Sequence, residues 1–426
     1  TRTDAMEMSE TGVSRRAVLA AGVLLAAGGC ARRPHRGPTA ELVWLTGGIS
    51  TADQSPAEDI AKRWNTQHPL GPAVRVEPLP QTADEQRQVL ALELNAGLRN
   101  FDIFDLDVVW TAEFAQHGWL ADLQDLRPDI EPLSLRESMR SAEWDGTLWA
   151  APYAADMGIL YYRSDLVDKP PVTWDELIVV GRRVGEQNGI APFVADGKQY
   201  EGLVVQYLEY LWGRGGEVFG QNGHVLAGEA AVKAAEFMRD AFREGVYAPG
   251  FNTMDVEEAR KTFQSGDAAF MRSWPYAYQP MNATDPTSLV TGKVGIAPLP
   301  AFPGHQPVSA LGGHHLAVSP FSRDIAAAKD FVKFVATSRD VQLGLAQRHS
   351  RPPTLASAYD DLADDRMMRL LKKVLPTVKA RPVTPDWNTI SIEMQQQIFA
   401  AYTGETEPKA AVRTLQDFLG ATAMGG

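Results

Sequence analysis

Hydrophobic positions follow two rhythms along the chain, one typical of strands and the other of helices. The apolar run at 41–45 (ELVWL) predicts a strand, and apolar residues at helical spacing within 57–64 predict a helix after it. Ser55 and Glu58 predict a capping box that starts this helix, with Pro56 at its first position. The folded body therefore opens with a strand followed by a helix.

The same alternation continues through the next part of the chain. Residues 74–76 predict a second strand, and residues 82–96 predict a second helix. The apolar run FDIFDLDVV at 101–109 is typical of a buried parallel strand. Strands that alternate with helices indicate an α/β domain with a mostly parallel sheet.

Both patterns recur in the second half of the chain. Further strands are predicted at 147–163, 268–272, 295–300 and 312–318. Helices are predicted from a capping box at 173–176 (TWDE) onwards to about 248, at 255–263, at 322–335, and over most of the remainder. The proline-rich stretch RPVTPD at 381–386 predicts a bend in that last helical part.

An apolar run near the start of the chain has the composition of an export signal. It extends from Ser14 to Cys30, follows the pair Arg15-Arg16, and is too short to span a bilayer. The arginine pair is similar to a twin-arginine leader, and Gly28-Gly29-Cys30 resembles a bacterial lipobox, although Ala27 stands where leucine is usual. We therefore expect 1–29 to be an export signal and 30–40 a lipidated cysteine with a flexible basic tether. The alternative is a plain secretory peptide with an incidental cysteine.

Composition narrows the class of protein further. The body after Cys30, about 390 residues, is long for one core and predicts two domains. The formal net charge of −12 argues against a nucleic-acid partner, which would require clustered lysine and arginine. The only cysteine in the chain is the one predicted to carry lipid, so the folded body is expected to have no disulfide.

Catalytic patterns are weak in this sequence. There is no G-x-S-x-G nucleophile elbow and no glycine-rich phosphate loop with its lysine. His314 and His315 are neighbours on a predicted strand and point to opposite faces, so we expect neither a metal site nor a cofactor. A glycosidase needs two carboxylates that face one bond. Asp105 and Asp107 lie on the same face of their strand, so their spacing does not exclude a glycosidase.

Four polar or aromatic side chains stand at predicted strand ends or at the proline bend. Sugars are bound by carboxylates and by arginine donors, with a flat aromatic side chain against their apolar face. The candidates are Asp107, Asp156, Trp274 and Arg381. Each could instead be a satisfied surface charge, a core aromatic or part of a structural corner.

Several stretches, in order along the chain, resemble one protein family. They are DLDVVWTAEFAQHGWLADL (105–123), PYAADMGILYYRSDL (152–166), TWDEL (173–177), FQSGDAAFMRSWPYAY (263–278) and LGGHHLAVSP (311–320). The sequence resembles the extracytoplasmic solute-binding proteins of sugar ABC transporters. LDVVWTAEF and RPVTP are most similar to the trehalose or trehalose/maltose branch, which includes mycobacterial trehalose-binding lipoproteins.

This resemblance implies two α/β lobes joined by a hinge of three crossovers, with a central ligand cleft. The N-terminal lobe would comprise 41–151 and about 308–352, and the C-terminal lobe 152–307 and about 353–426. Ligand binding would close the lobes around the sugar.

The resemblance also assigns expected roles at the cleft. Asp107 would accept from sugar hydroxyls, Asp156 would contribute from the second lobe, and Trp274 would stack on a sugar ring. Gly313 would line the cleft with its backbone and Arg381 would donate to sugar oxygens. Asp255, Glu257 and Glu258 compete for one further acidic position.

Two departures from relatives bear on specificity. His314 stands where some relatives have a tryptophan after the glycine pair. The loop after the first strand lacks a glutamate used by some relatives, for which Asp53 or Gln54 would substitute. Both changes could move the preference from trehalose to another disaccharide or oligosaccharide.

The function expected from the sequence is sugar capture outside the cell membrane, without enzymatic activity. The sugar would be trehalose or a related disaccharide, passed to the permease subunits of an ABC transporter. The protein would be a monomer held at the outer membrane face by lipid on Cys30. The alternatives are a surface-tethered glycoside hydrolase with Asp107 and Asp156 as its acid pair, a binder of another oligosaccharide, and an adhesive lipoprotein.

Overall fold

The computed structural model describes residues 41–47, 55–219, 228–284 and 286–424. The predictions for the export signal, the tether and Cys30 lie outside the described residues, as do those for Asp53 and Gln54. All of these described residues belong to one compact unit.

The strands of this unit are short and mostly buried. They are β1 (Glu41–Thr46), β2 (Ala73–Pro78), β3 (Ile103–Asp107), β4 (Glu143–Trp144), β5 (Thr147–Leu148), β6 (Ala151–Ala154), β7 (Ile159–Arg163), β8 (Ala191–Val194), β9 (Ala268–Ser273), β10 (Val294–Ala297), β11 (Ser309–Ala310), β12 (His314–Val318) and β13 (Val378–Lys379).

Sixteen α-helices lie between and after these strands in the described residues. They are α1 (Pro56–Gln67), α2 (Ala83–Asn95), α3 (Thr111–Gln116), α4 (Arg127–Ile130), α5 (Arg136–Ser141), α6 (Trp174–Asn188), α7 (Glu201–Trp212), α8 (Glu229–Arg243), α9 (Val256–Gln264), α10 (Tyr278–Met281), α11 (Ile325–Thr337), α12 (Arg339–His349), α13 (Ala358–Asp361), α14 (Arg366–Val374), α15 (Trp387–Thr403) and α16 (Pro408–Met424). None of the described helices is long and apolar enough to cross a membrane.

Two separate sheets organise the two lobes. The first sheet has the order β2-β1-β3-β12-β6, and the second has the order β10-β7-β9-β8. Strands β1, β2 and β3 are parallel, as the strand–helix alternation predicts, whereas β12 is antiparallel to both β3 and β6. In the second sheet only the pair β8–β9 is parallel. We call the lobe built on the first sheet the first lobe and the other the second lobe.

The chain passes between the two sheets three times within the described residues. It leaves the first sheet after β6, returns at β12, and leaves again after α12, since α14 packs on β10 of the second sheet. The division predicted at 151/152 falls inside β6, which pairs with β12 in the first sheet. The exact lobe boundaries stay predictions.

Local capping signals account for where several helices start. Thr173 and Glu176 form the predicted capping box at α6, and Thr82 with Glu85 forms another at α2. At α1 the predicted box is wrong, because the Ser55 side chain makes no capping hydrogen bond. Proline at the first position of α1 already removes one of the N–H groups that a cap would satisfy.

Two other expectations from the pattern need correction. The stretch predicted to be helical up to 248 contains strand β8, whose short apolar run APFV is buried beside β9. The strand predicted at 312–318 begins only at His314, because Gly313 has φ +97, which strand geometry does not allow. Gly313 lines a cavity between the two sheets.

Candidate functional site

A cavity of about 460 Å³ is lined by residues of both lobes. Several of its lining residues stand at strand ends or close beside them. Asp107 ends β3, Asp156 lies between β6 and β7, Trp274 follows β9, and Gly313 precedes β12. Of the residues predicted from the sequence, those that line the cavity are Asp107, Asp156, Asp255, Trp274, Gly313, His314 and Arg381.

Asp107 and Arg381 form the first ionic contact of the cavity. The Arg381 Nη2 group donates to Asp107 Oδ1 at 3.0 Å, and Val109 N donates to the same oxygen at 3.1 Å. Arg381 Nη1 donates to Glu201 Oε1 at 2.6 Å, so one guanidinium holds two carboxylates. Burial alone would lower the pKa of Arg381, but Asp107 and Glu201 raise it, and the arginine stays charged. Arg381 thus joins the first-lobe Asp107 to Glu201 of helix α7.

Glu201 also connects the two lobes through Asp84. Its backbone N–H donates to Asp84 Oδ1 at 3.3 Å, and Gln395 Nε2 donates to Asp84 Oδ2 at 3.3 Å. Burial, followed by repulsion from Glu201, raises the pKa of Asp84 to about 6. Asp84 stands on α2 of the first lobe, so this carboxyl is part of the contact between the lobes.

Asp156 presents a carboxylate oxygen to which no described residue donates a hydrogen bond. The residue is 6% exposed, and its Oδ1 has no hydrogen-bond partner among the described residues. Burial raises the pKa of Asp156, the positive charge of Arg351 lowers it, and the negative charge of Asp107 raises it. A buried acceptor without a partner is costly unless a ligand or water supplies the donor.

Trp274 is held from one side by a buried cation. The Arg272 guanidinium carbon lies 4.1 Å from the centre of the indole, a cation–π contact. Arg272 is fixed in turn by Glu209, which accepts from its Nε at 2.8 Å and from its Nη2 at 2.7 Å. A Cβ atom at Gly312 would lie 2.8 Å from the indole Cη2 atom, so only glycine leaves the ring in place. The indole ring that is predicted to stack on a sugar is therefore held in a fixed position.

Gly313 and His314 make a wall of the cavity where β12 begins. A Cβ atom at Gly313 would lie 2.1 Å from the carbonyl oxygen of Ala154, which only glycine avoids. Burial lowers the pKa of His314 to about 4, so its imidazole is neutral at pH 7. Its Nδ1 has no hydrogen-bond partner in the described chain. His315 points the other way, as predicted, and its Nε2 meets the Ser141 hydroxyl at 3.0 Å.

The three acids that compete around 255–258 have different surroundings. Asp255 lines the cavity, but its Oδ1 caps helix α9 by accepting from the backbone of Glu257 and Glu258. Glu258 completes that capping box, and Glu257 binds Arg260 and accepts from the Tyr276 hydroxyl at 2.7 Å. Neither Glu257 nor Glu258 lines the cavity, and Glu257 acts on it through Tyr276, which does.

The Asp105 carboxylate is used within the first lobe. It accepts from Trp44 Nε1 at 2.8 Å, from the Thr46 hydroxyl at 2.7 Å and from Gly47 N at 3.1 Å. It does not line the cavity, so it makes no facing pair with Asp107 there. Among the described residues no group of three His, Cys, Asp or Glu side chains could hold a metal ion.

Several lining residues escape prediction from the sequence. Tyr200 and Glu201 start helix α7, Tyr276 follows the tryptophan, and Arg351 follows helix α12. Tyr276 stands in the string SWPYA, which is a usable signal. Glu201 and Arg351 reach the cavity only through contacts between segments distant in sequence.

Two lobes around a polar cavity are the architecture of a protein that binds a solute between them. The family described as bacterial extracellular solute-binding protein matches residues 48–342, and the chain belongs to that family. A protein of Deinococcus radiodurans named "Probable ABC transporter-binding protein" is 31% identical over 81% of this chain and 86% of its own length. A maltooligosaccharide ABC transporter solute-binding lipoprotein of Streptococcus pneumoniae is 22% identical over 95% of each. These relatives are solute-binding proteins, not enzymes.

Solved structures confirm the predicted two-lobe fold. The maltose-bound T. maritima MalE3 superimposes with a TM-score of 0.84 and 33% identity, over 90% of this chain and 100% of that one. The GacH receptor of Streptomyces glaucescens matches in fold with a TM-score of 0.78 and 24% identity, over 89% and 97% of the two chains.

Proposed function

We propose that this protein captures a neutral sugar, trehalose or a related disaccharide, and delivers it to an ABC transporter permease. The observation that carries the proposal is a set of three buried polar atoms around one cavity, none of which has a partner among the described residues. They are Asp156 Oδ1, His314 Nδ1 and Arg381 Nε. Each unpaired buried group costs about 1–3 kcal/mol, which a ligand able to pair with it removes.

A sugar has the chemistry that this set requires. Each hydroxyl both donates and accepts, so it can meet the carboxylate of Asp156 and the guanidinium of Arg381. The weakly apolar ring face fits the indole of Trp274, whose position is fixed by Arg272. The cavity of about 460 Å³ is in the usual range for small-molecule sites.

The comparisons support a sugar as the solute. MalE3 of T. maritima has maltose bound, and a protein of Streptomyces coelicolor, 24% identical over 74% of this chain and 76% of its own length, is named diacetylchitobiose binding protein DasA. The choice of trehalose rests on the strings LDVVWTAEF and RPVTP alone. Another disaccharide or oligosaccharide is the second candidate, because His314 replaces a tryptophan found in some relatives.

We further propose that the protein works as a monomer anchored at the outer face of the cell membrane by lipid on Cys30. One acyl chain gives only reversible attachment, so stable anchoring would take more than one. Cys30→Ser is expected to release the protein from washed membranes into the medium. Retention of the variant on the membrane would contradict the anchor and leave sugar binding untouched.

A thermal-shift screen tests the proposed ligand class. Trehalose, maltose, maltotriose and diacetylchitobiose are added in turn, and a sugar that binds only the folded state raises the melting temperature. At 100 times Kd the stabilisation is about 2.7 kcal/mol, a shift of several degrees. No shift with any of the four would contradict the proposal. Release of monosaccharide at a catalytic rate from the same mixtures would favour the hydrolase alternative.

A further inference from the structure

The segment after helix α12 brings an arginine to the cavity by an unusual backbone turn. Ser350 ends the helix with φ 49 and ψ 30, the left-handed region that non-glycine residues rarely adopt. The next residue, Arg351, is tied back to the helix by its backbone N–H, which donates to Leu345 O at 3.1 Å. Strained turns of this kind are often kept where they position a functional side chain.

Backbone pairing then places Arg351 beside Asp156. Ala155 N donates to Pro352 O at 3.0 Å, and Ala154 and Pro353 form an antiparallel bridge. Continuing that register by one residue sets Arg351 opposite Asp156. The two residues come from passages of the chain almost 200 positions apart in sequence, which is why no local pattern relates them.

The segment is held firmly in this position. Thr354 N donates to Gln342 Oε1 at 2.8 Å, and the Tyr359 hydroxyl donates to Pro353 O at 3.1 Å. Gln342 and Tyr359 are both buried. The location of Arg351 is therefore fixed by the fold and does not depend on its own side chain.

The guanidinium of Arg351 has hydrogen-bond donors that the described part of the chain does not use. It is 7% exposed and lines the cavity, and no described residue accepts a hydrogen bond from its guanidinium. A guanidinium carries five N–H donors, and a buried charge needs partners for them. The neighbouring Asp156 Oδ1 is a buried acceptor that meets no donor within the described ranges. The Arg351 guanidinium and the Asp156 carboxylate thus line the same cavity, and both can form further hydrogen bonds there.

We infer that Arg351 is a ligand-contacting, specificity-determining residue that works with Asp156 as a donor–acceptor pair for sugar hydroxyls. A hydroxyl accepts from the Arg351 guanidinium while it, or its neighbour on the ring, donates to Asp156 Oδ1. The pair carries no net charge, so it selects a neutral polyhydroxyl ligand and rejects an analogue that lacks the hydroxyl. This inference rests on the proposed function, since it needs a sugar in the cavity.

The test is calorimetric titration of wild-type protein and three variants with trehalose, maltose, maltotriose and diacetylchitobiose. Arg351→Gln removes the charge and most donors, and Arg351→Lys keeps the charge but loses the planar fork of donors. Arg348→Gln is the matched control, since Arg348 lies near the end of the preceding helix α12, is exposed and pairs with Asp59 outside the cavity. The melting temperature of each unliganded variant is measured in parallel.

We expect the affinity for the bound sugar to fall about 10- to 100-fold in Arg351→Gln, the range for a lost hydrogen bond to a charged group. Arg351→Lys should fold and lose about 10-fold, and Arg348→Gln should bind as wild type does. Asp156→Asn combined with Arg351→Lys should cost less than the product of the single losses. Wild-type affinity in Arg351→Lys and Arg351→Gln would overturn this inference and leave the proposed function standing. Wild-type protein that binds none of the four sugars would overturn both.

Discussion

We predict that Arg272→Met destabilises the protein far more than removal of a surface arginine does. Arg272 is bound by both carboxylate oxygens of Glu209 at 2.7–2.8 Å, and its Nη1 lies 3.6 Å from Asp196 Oδ2. All three residues are at most 3% exposed. Methionine has a similar apolar length but no charge, so the variant leaves two carboxylates buried without their cation.

The expected cost follows from that loss. Breaking a buried ion pair by removing one partner costs about 3–5 kcal/mol, and the contact with Trp274 adds about 1 kcal/mol. This is a large part of the 5–15 kcal/mol by which a domain is usually stable. Burial already raises the pKa of Asp196 to about 6 with Arg272 present. Protonation can therefore relieve the variant in acid, and we expect a smaller loss at pH 5 than at pH 8.

Urea unfolding followed by tryptophan fluorescence measures this cost. The control is Arg182→Met, because Arg182 pairs with Glu244 at 2.5 Å with side chains 41% and 48% exposed. An exposed pair of that kind is worth at most about 1 kcal/mol. If the two variants lose the same free energy of unfolding, our account of the support beneath Trp274 is wrong.

Two further predictions concern the cavity wall and the contact between the lobes. Gly313→Ala should abolish sugar binding and lower the melting temperature, because its Cβ atom would overlap Ala154 O. The control is Gly292→Ala, which should keep binding, because Gly292 has φ +73 but no atom within 4 Å of its Cβ position. Equal sugar binding by the two variants would contradict the role assigned to Gly313. The pKa of Asp84 rises from 3.8 to about 6 on folding, so between pH 4 and 6 the native state binds a proton on this carboxyl that the unfolded state does not. The stability that this protonation contributes is lost as the pH rises from 4 to 6. Asp84→Asn should therefore flatten the fall in stability between pH 4 and 6 by at most about 3 kcal/mol, and an unchanged pH profile from urea unfolding would refute this.

Sequence pattern predicts those parts of the fold that depend on neighbouring residues. The capping box at Thr173 and Glu176 is found because its donors and acceptors lie three positions apart. The buried strand at 103–107 is found because its apolar run is continuous. Strand β8 is missed because four residues are too few for a periodicity to distinguish strand from helix.

Some residues of the candidate site can likewise be predicted from the sequence, and others cannot. Asp107, Trp274 and Gly313 stand at strand ends or in a glycine pair, which are features that a single sequence displays. Glu201 and Arg351 line the same cavity, yet their roles depend on pairing with Arg381 and on the register opposite Asp156. Such contacts form between segments that are distant in sequence, so the local sequence pattern does not predict them.

The most direct test of the account is isothermal titration of wild-type protein and Trp274→Ala with trehalose, maltose, maltotriose and diacetylchitobiose. Trp144→Ala is the control, since Trp144 is half-buried in strand β4 and does not line the cavity. We predict saturable binding of at least one sugar at one site per chain, retained in the control and lost in Trp274→Ala with its fold intact. Undiminished affinity in Trp274→Ala would contradict the site, and no binding by wild-type protein would contradict the function.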